Sequence, residues 1–264
     1  KRMGSEWVAM YFCPALGTLI CNFMWTSPLK AILEVRKSSK LGPLNPIPFG
    51  ITVMNCIGWV IYGILRRDYF LFFSNIFGLI LGLFYSLTSL SALSNNPSTK
   101  DLQTRSILEI LLLFSVTLWG MVGFIIGIII PPSVVESGIF AVGILGCCCA
   151  LSYYGSFLST MTQIIRLKDS SSLYLPTLIA NLSNATLWVI YGFAALNDPI
   201  VWVPNFIGAT LTCIQISLYF IYSPNKKHHG DTEYVLSNQH QRSDVSNPIG
   251  EINLTTKNDN DNDN

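Results

Sequence analysis

The chain has 264 residues, of which 50% are hydrophobic and only 12% are charged, and its mean hydropathy is +0.45. This composition is far from that of a soluble globular protein, so we expect an all-α membrane protein. The formal net charge is +1, and no basic patch is interleaved with aromatic residues outside the apolar stretches, which argues against a nucleic-acid partner.

Seven apolar runs are long enough to span a bilayer, which needs about 20 mainly apolar residues per helix. In chain order the predicted spans cover residues 7–27, 46–65, 70–92, 108–130, 138–162, 174–196 and 200–222. Lysine and arginine are concentrated in alternate loops, beginning with the loop after the first span; the short RRDY turn is the exception. By the positive-inside rule, the N-terminus is expected outside and the C-terminal tail in the cytosol.

Two nonamers, NCIGWVIYG and NATLWVIYG, belong to a longer internal repeat. Their matching marker residues lie 128 to 130 positions apart: Pro48 and Pro176, Tyr62 and Tyr191, Asp68 and Asp198, and Asn75 and Asn205. Spans 1 to 3 therefore correspond to spans 5 to 7, and span 4 is a linker. Because a single span separates the two triplets, both cross the bilayer in the same direction, as parallel repeats.

This duplication predicts four segments along the chain. They are a first repeat at 1–92, a linker helix at 93–135, a second repeat at 136–223 and a tail at 224–264. The tail ends in NDNDNDN and holds almost no apolar clusters, so we expect it to be disordered. All seven cysteines lie in apolar runs, which indicates neither a disulfide framework nor a metal site.

Two tryptophans and two asparagines are predicted to lie at corresponding depths in the repeats. Trp59 and Asn75 each lie seven residues from the turn between spans 2 and 3, and Trp188 and Asn205 match them. At 1.5 Å per residue this depth is about 10 Å. An unpaired amide in hydrocarbon costs roughly 2 to 7 kcal/mol, so these amides must face the bundle or a wet cavity. Amides suit hydroxyls and indoles suit sugar rings, which favours a site for a neutral polyol; bonding between helices is the alternative.

The order and spacing of six sequence segments resemble those of the SWEET (MtN3/saliva) family of sugar transporters, and the resemblance extends to about Tyr222. The resemblance depends on TSPLKAI, NPIPFGITVMNCIGWVIYG, DYFLFFSNIFG, STMTQIIRLKDSSSLYLP, NATLWVIYG and NDPIVWVPNFIG. It implies that Asn75, Asn205 and Trp188 line the substrate pocket, and that Trp59 holds a pocket position where relatives often have a smaller residue. Asn55 and Asn184 lie one helical turn before the tryptophans. We expect them to pack against the residues that contact substrate; direct contact with substrate is the alternative.

The resemblance further implies a cytosolic hinge of four prolines and an extracellular gate of tyrosine and aspartate. The hinge positions are Pro28, Pro48, Phe157 and Pro176, and the gate positions are Tyr62, Tyr191 and Asp198. Phe157 departs from the family pattern, so the fifth span is expected to hinge less. For Asp198, an ordinary surface turn is the alternative interpretation.

The absence of Asp, Glu, Lys and Arg at mid-membrane depth favours uncoupled, bidirectional facilitated diffusion by alternating access, without a cofactor. The sequence contains neither a carboxylate pair nor a nucleophile with an adjacent base, which argues against an enzyme. Two indoles across one cavity leave room for one ring, which favours a hexose such as glucose over a disaccharide.

A PQ-loop-type transporter of another solute and a seven-helix receptor are the alternatives. We expect the plasma membrane rather than an endomembrane, and homo-oligomerisation stays open.

Overall fold

The computed structural model describes residues 6–42, 44–94 and 98–222. All regular elements in these residues are helical, and seven helices are long and apolar enough to cross a membrane. The predicted all-α fold with seven spans is therefore confirmed. The tail at 224–264, for which disorder is expected, lies outside the described residues.

The spans are numbered 1 to 7 in chain order. They cover Val8–Ser38, Ile47–Arg66, Tyr69–Leu93, Thr99–Ile129, Pro132–Ser152, Leu175–Ala195 and Pro199–Ile221. Span 1 consists of a π-helical turn, Val8–Phe12, and two α-helices, Cys13–Trp25 and Leu29–Ser38. Spans 4 and 6 end in π-helical turns, Ile125–Ile129 and Tyr191–Ala195, and the α-helix of span 5 runs over Val135–Leu167.

Some helices extend beyond the apolar runs from which they were predicted. Span 4 was expected to begin at residue 108, but its helix begins at Thr99 because Ser98 and Asp101 form a capping box. The Ser98 hydroxyl accepts the Asp101 N–H at 3.2 Å, and the Asp101 carboxylate accepts the Ser98 N–H at 3.0 Å. The first turns of this helix are polar, so they belong to the helix without belonging to the hydrophobic run.

Each repeat packs its third span between the other two. Span 3 lies against spans 1 and 2, and span 7 lies against spans 5 and 6. Between the repeats, span 1 packs on span 6 and span 2 packs on span 5, as a two-fold relation between the triplets requires. Span 4 packs mainly on spans 2 and 3, beside the first repeat.

The backbone repeats in the same register as the side chains. The described non-glycine residues with positive φ form two matched pairs, Ser39 (55°) with Lys168 (53°) and Arg67 (55°) with Asn197 (51°). The first pair ends a helix in each repeat, and the second closes the turn between the second and third spans of each repeat. Non-glycine residues seldom adopt this conformation, so matched pairs of them are a sensitive sign of a duplicated fold.

One break distinguishes the first span of the two repeats. Span 1 is interrupted at residues 26–28, where Pro28 precedes the helix Leu29–Ser38. At the corresponding position of span 5, Phe157 lies within the uninterrupted helix Val135–Leu167. Pro48 and Pro176 both lie in the first turn of a helix, where the missing N–H breaks no intrahelical bond.

Among the residues whose side chains the structure describes, buried apolar residues join the two repeats at one end of the bundle only. We call the end that holds Tyr62, Asp68, Tyr191 and Asp198 the Tyr–Asp end, and the opposite end, with the lysine- and arginine-rich loops, the basic end. One core cluster at the Tyr–Asp end includes Trp59, Tyr62, Trp188, Tyr191 and Ile200, from both repeats. At the basic end the cores are separate: Ile32, Phe49 and Tyr85 in the first repeat, and Met161, Ile164 and Leu218 in the second.

Candidate functional site

A cavity of about 380 Å³ lies between the repeats and is lined by six of the seven spans. The structure brings all six of the predicted asparagine and tryptophan residues to its wall: Asn55, Trp59, Asn75, Asn184, Trp188 and Asn205. Among the described residues, no charged side chain lines it. The cavity therefore combines amides and indoles from both halves of the chain in an uncharged environment.

The amide groups of Asn75 and Asn205 have matching orientations. The Asn75 Nδ2 donates to the Leu71 carbonyl at 2.9 Å, and the Asn205 Nδ2 donates to the Val201 carbonyl at 2.7 Å. The Asn75 Nδ2 also lies 3.0 Å from the Ser74 hydroxyl. Neither Oδ1 accepts a hydrogen bond from the described residues, so each asparagine retains an acceptor for a ligand in the cavity.

Two of the three tryptophans among the described lining residues, Trp59 and Trp188, pack edge-to-face on the tyrosines one turn farther along their helices. Ring centroids are 6.0 Å apart for Trp59 and Tyr62, and 5.9 Å apart for Trp188 and Tyr191. Both indoles are more than nine-tenths buried. This packing links the wall of the cavity directly to the Tyr–Asp end.

Asn55 and Asn184 differ in their hydrogen bonding, although both line the cavity. The Asn184 Oδ1 accepts the indole N–H of Trp188 at 3.2 Å. The Asn55 Oδ1 is buried and has no partner among the described residues. A buried acceptor of this kind is costly unless a ligand or water satisfies it, so Asn55 belongs with the candidate binding residues.

Two crossed hydrogen bonds close the Tyr–Asp end. The Tyr62 hydroxyl donates to Asp198 Oδ2 at 2.5 Å, and the Tyr191 hydroxyl donates to Asp68 Oδ2 at 2.7 Å. Each bond joins one repeat to the other. Sequence reasoning assigned three of these residues to a gate and missed Asp68, although its register with Asp198 was the available signal.

Each aspartate is held in place by the start of the helix that follows it. Asp68 Oδ1 accepts the Leu71 N–H, and Asp198 Oδ1 accepts the Ile200 N–H, both at 3.0 Å. The side chain therefore caps a helix with one oxygen and receives a tyrosine with the other. The capping bond therefore holds each carboxylate in position independently of its bond to the tyrosine.

The glycine that ends each nonamer holds the start of the turn that presents the aspartate. The Asp68 N–H donates to the Gly63 carbonyl, and the Asp198 N–H donates to the Gly192 carbonyl, both at 2.8 Å. A Cβ on Gly63 would lie 2.9 Å from the Phe72 backbone nitrogen, and one on Gly192 would lie 2.8 Å from that of Trp202. Only glycine fits where the two helices approach this closely.

Arg66 makes the surroundings of the two crossed Tyr–Asp pairs unequal. Its Nε donates to the Tyr62 hydroxyl at 3.2 Å and lies 3.9 Å from Asp198 Oδ2. Its Nη1 pairs with Glu136 Oε2 at 3.2 Å. The corresponding position in the second repeat is Ala195, and no described Lys, Arg or His forms an ion pair with Asp68 of the Tyr191–Asp68 pair.

The remaining predicted positions lie away from the cavity, and other residues join it. Pro28, Pro48 and Pro176 are not among its lining residues and lie at helix starts toward the basic end. Residues absent from the predicted set also line the cavity, among them Ser74, Trp25, Tyr154, Asn181 and Pro204. An aromatic residue in an apolar run gives no signal in the sequence that separates a cavity wall from a lipid-facing surface.

The fold and the cavity define a class of protein: an α-helical membrane protein whose two parallel repeats enclose an uncharged polar cavity that is closed at one end. The model of the family described as "Sugar efflux transporter for intercellular exchange" (MtN3/saliva) matches this chain twice, at residues 12–97 and 140–227. The chain therefore belongs to this family, the SWEET transporters.

Named relatives and a solved structure are similar along nearly their whole length. Sugar transporter SWEET1 of Rattus norvegicus is 29% identical over 234 residues, which cover 89% of this chain and 99% of the rat protein. Bidirectional sugar transporter SWEET5 of Arabidopsis thaliana is 24% identical over 221 residues, covering 83% and 88%. A eukaryotic SWEET transporter solved at 3.7 Å resolution has a TM-score of 0.72 at 18% identity, covering 83% of this chain and 99% of that chain.

These comparisons bear on the alternatives that the sequence left open. The relatives are named as transporters, so the expectation that the chain is not an enzyme is confirmed. The seven-helix receptor is not retained, because the chain belongs to a transporter family. The structural similarity, at this identity, supports the fold alone.

Proposed function

We propose that this protein is a bidirectional facilitative transporter of sugars, and that a hexose such as glucose is its substrate. One observation carries the proposal: the cavity presents amides and indoles from both repeats and no charged group among its described lining residues. Amide groups bond to hydroxyls, and indole faces suit the C–H face of a sugar ring. The names of the relatives, which are sugar transporters, point to the same substrate class.

The size of the cavity favours a monosaccharide. Its volume of about 380 Å³ is near the lower end of the roughly 300 to 1,000 Å³ typical of small-molecule sites. Trp59 and Trp188 occupy two of its walls with large side chains. A single pyranose suits such a space better than a disaccharide.

Alternating access is the mechanism that the packing supports best. The repeats share one core and two crossed hydrogen bonds at the Tyr–Asp end, whereas their cores at the basic end are separate. Separation of the Tyr–Asp end and approach of the basic ends would expose the cavity to the other side. With the basic loops in the cytosol, the conformation in the structure, which is closed at the Tyr–Asp end, is the one that faces inward.

Transport without ion coupling follows from the chemistry of the cavity. Coupling to protons or sodium usually requires acidic, basic or histidine side chains within the membrane, and the described cavity wall has no Asp, Glu, Lys, Arg or His. We therefore propose a uniporter in which the sugar gradient alone sets the direction of flux, acting in the plasma membrane.

Counterflow of labelled glucose in proteoliposomes tests this function. Vesicles loaded with unlabelled glucose are expected to accumulate label transiently, to the same extent with and without a proton or sodium gradient. An amino acid of similar size serves as the control solute for a transporter of the PQ-loop type. Uptake of the amino acid but not of glucose would contradict the proposed substrate class, and dependence on an ion gradient would contradict uniport.

A further inference from the structure

Three asparagines of the cavity share a local arrangement that their sequence context encodes. Asn55, Asn75 and Asn205 are each followed three residues later by glycine, in NCIG, NIFG and NFIG. In each case an aromatic side chain from another span donates a hydrogen bond to the carbonyl of the residue just before the asparagine. We call this arrangement, an asparagine with its preceding carbonyl and its following glycine, an Asn-Gly socket.

The donors come from spans 1, 4 and 5. The Trp25 indole N–H donates to the Ser74 carbonyl at 3.0 Å, and the Trp119 indole N–H donates to the Met54 carbonyl at 2.8 Å. The Tyr154 hydroxyl donates to the Pro204 carbonyl. Ser74, Met54 and Pro204 immediately precede Asn75, Asn55 and Asn205.

The glycine of each socket makes room for the aromatic ring. A Cβ on Gly78 would lie 2.6 Å from the Trp25 ring, and one on Gly208 would lie 2.9 Å from the Tyr154 hydroxyl oxygen. A Cβ on Gly58 would collide with the Trp119 ring. These close approaches explain why all three positions hold glycine.

Two of the sockets are related by the internal repeat. Trp25 corresponds to Tyr154, as Gly78 corresponds to Gly208, within the register of the marker residues. A second cross-helix bond accompanies each: Thr18 Oγ1 lies 3.4 Å from the Phe70 carbonyl, and Cys147 Sγ lies 3.4 Å from the Ile200 carbonyl. The contacts persist although the donor residues differ, which indicates a geometric requirement rather than a repeated sequence.

We propose that Trp25, Trp119 and Tyr154 are positioning residues that set the affinity of the site by fixing the helices that carry its asparagines. The amide nitrogens of Asn75 and Asn205 are bonded to their own helices, so the rotation of each helix about its axis sets the direction of the free amide oxygen. A donor on the adjacent carbonyl fixes this rotation. Through Trp119, the linker span also contributes to the site, although it supplies no residue to the cavity wall.

The second repeat holds an internal comparison. Asn184 corresponds to Asn55 but is followed by Leu187 in place of a glycine, and no linker span packs there. Its Oδ1 is instead bonded to Trp188 on its own helix. Among the described residues, Asn184 therefore has no Asn-Gly socket, and no linker span packs beside it to supply a donor.

This inference rests on the proposed sugar transport, and Tyr154→Phe tests it, because the ring stays and only the hydroxyl group is lost. We expect the half-saturation concentration for glucose to rise about 2- to 10-fold, with the maximal rate per molecule changed less than about 2-fold. Thr162→Val is the control, since the Thr162 hydroxyl, on the same helix as Tyr154, also donates to a backbone carbonyl, that of Leu158 at 2.8 Å, but Thr162 does not line the cavity. An unchanged half-saturation concentration in Tyr154→Phe would overturn the positioning role.

A double variant tests the socket without any sugar. Gly208→Ala places a methyl group 2.9 Å from the Tyr154 hydroxyl oxygen, and the next nearest ring atoms are 3.4 Å away. Tyr154→Phe removes the closest atom, so it should restore part of the thermal stability that Gly208→Ala loses in detergent. Additive losses in the double variant would contradict the socket geometry. Absence of glucose transport by the parent protein, with rescue intact, would instead refute the proposed function while leaving the socket supported.

Discussion

Asn75 and Asn205 differ from ordinary helix-packing asparagines, because each has its amide nitrogen bonded within its own helix while the carbonyl oxygen has no described partner. Bonding between helices, the alternative interpretation, would have paired these side chains with another span. The structure gives them a common cavity instead. Their role in binding stays a prediction, and single substitutions can test it.

Removing one of these asparagines should weaken transport while leaving the fold intact. Loss of one partner of a buried hydrogen bond costs about 1 to 3 kcal/mol, so Asn205→Ala should lower glucose uptake roughly 10-fold or more at low glucose concentration. Uptake is measured per molecule, after the amount of protein in the membrane has been quantified. Near-normal uptake by both Asn75→Ala and Asn205→Ala would favour the helix-packing interpretation.

Trp59 should limit the size of the sugar that the cavity accepts. Aromatic side chains bury about 150 to 250 Å² each, and Trp59 and Trp188 both line a cavity of about 380 Å³. Trp59→Ser should therefore admit a disaccharide such as sucrose at some cost in hexose affinity. Trp202→Ser is the control, because Trp202 packs on Phe193 outside the cavity wall. Competition of labelled glucose uptake by a disaccharide series measures the change, and sucrose transport by the parent protein, unaltered in Trp59→Ser, would refute it.

Single residues were predictable from the sequence when hydrocarbon made them expensive. An amide in an apolar run needs a partner, which singled out Asn75 and Asn205, whereas Asp198 was assigned from the family resemblance. Trp25, Trp119 and Tyr154 carry no such signal, because an aromatic ring is equally stable against lipid and against protein. Their importance depends on a carbonyl in another span, and no pattern along one helix reveals it.

At the scale of helices, the turn between the second and third spans of each repeat is built in the same way twice. Glycine, a left-handed residue and a capping aspartate follow one another, in Gly63, Arg67 and Asp68 and again in the second repeat. The sequence predicted the turns from their markers. It did not predict helix ends such as Thr99, because capping by polar residues is independent of hydropathy.

The break at Pro28 should matter for movement more than for binding. Proline prevents continuous hydrogen bonding between Cys13–Trp25 and Leu29–Ser38, so the two helices can change their relative angle with little loss of bonding. Pro28→Ala should lower the maximal rate of glucose transport several-fold and leave the half-saturation concentration within about 2-fold.

Phe157→Leu provides the control for this prediction. The backbone at Phe157 is already continuous helix, so a leucine there should leave the maximal rate within about 2-fold of that of the parent protein. A larger loss of rate in Phe157→Leu than in Pro28→Ala would contradict the assignment of the hinge to the first span.

For the whole molecule, the internal repeat made the pairing of spans predictable but not which end of the bundle is closed. Matching markers pair Tyr62 with Tyr191 and Asp68 with Asp198. In the sequence alone, the two repeats are therefore related in the same way at each end of the bundle, and neither end is marked as the closed one. Closure depends on whether the repeats share contacts, and the described residues share them at the Tyr–Asp end. The energy difference between the two conformations is a small remainder of many contacts, which no motif encodes.

The unequal environments of the two crossed Tyr–Asp pairs lead to a prediction about the conformational equilibrium. In Tyr62→Phe, Asp198 keeps Arg66 at 3.9 Å as a nearby cation. In Tyr191→Phe, Asp68, which is 9% exposed and forms no ion pair with a described residue, keeps only the backbone N–H of Leu71. A buried carboxylate that loses a hydrogen bond destabilises the state that buries it by about 1 to 3 kcal/mol or more, so Tyr191→Phe should open the Tyr–Asp end further than Tyr62→Phe does.

Cys21 can report this opening, because it lines the cavity and separation of the two Tyr–Asp pairs is expected to expose the cavity to that side. A membrane-impermeant thiol reagent added on that side should label Cys21 slowly in the parent protein, faster in Tyr62→Phe and fastest in Tyr191→Phe. Each 1.4 kcal/mol of destabilisation corresponds to about a 10-fold change in the open population, so the two variants should be separable by rate. Cys21→Ser in each background removes the signal and identifies the labelled residue. Equal rates in the two variants would show that Arg66 does not stabilise the Tyr62–Asp198 side of the gate.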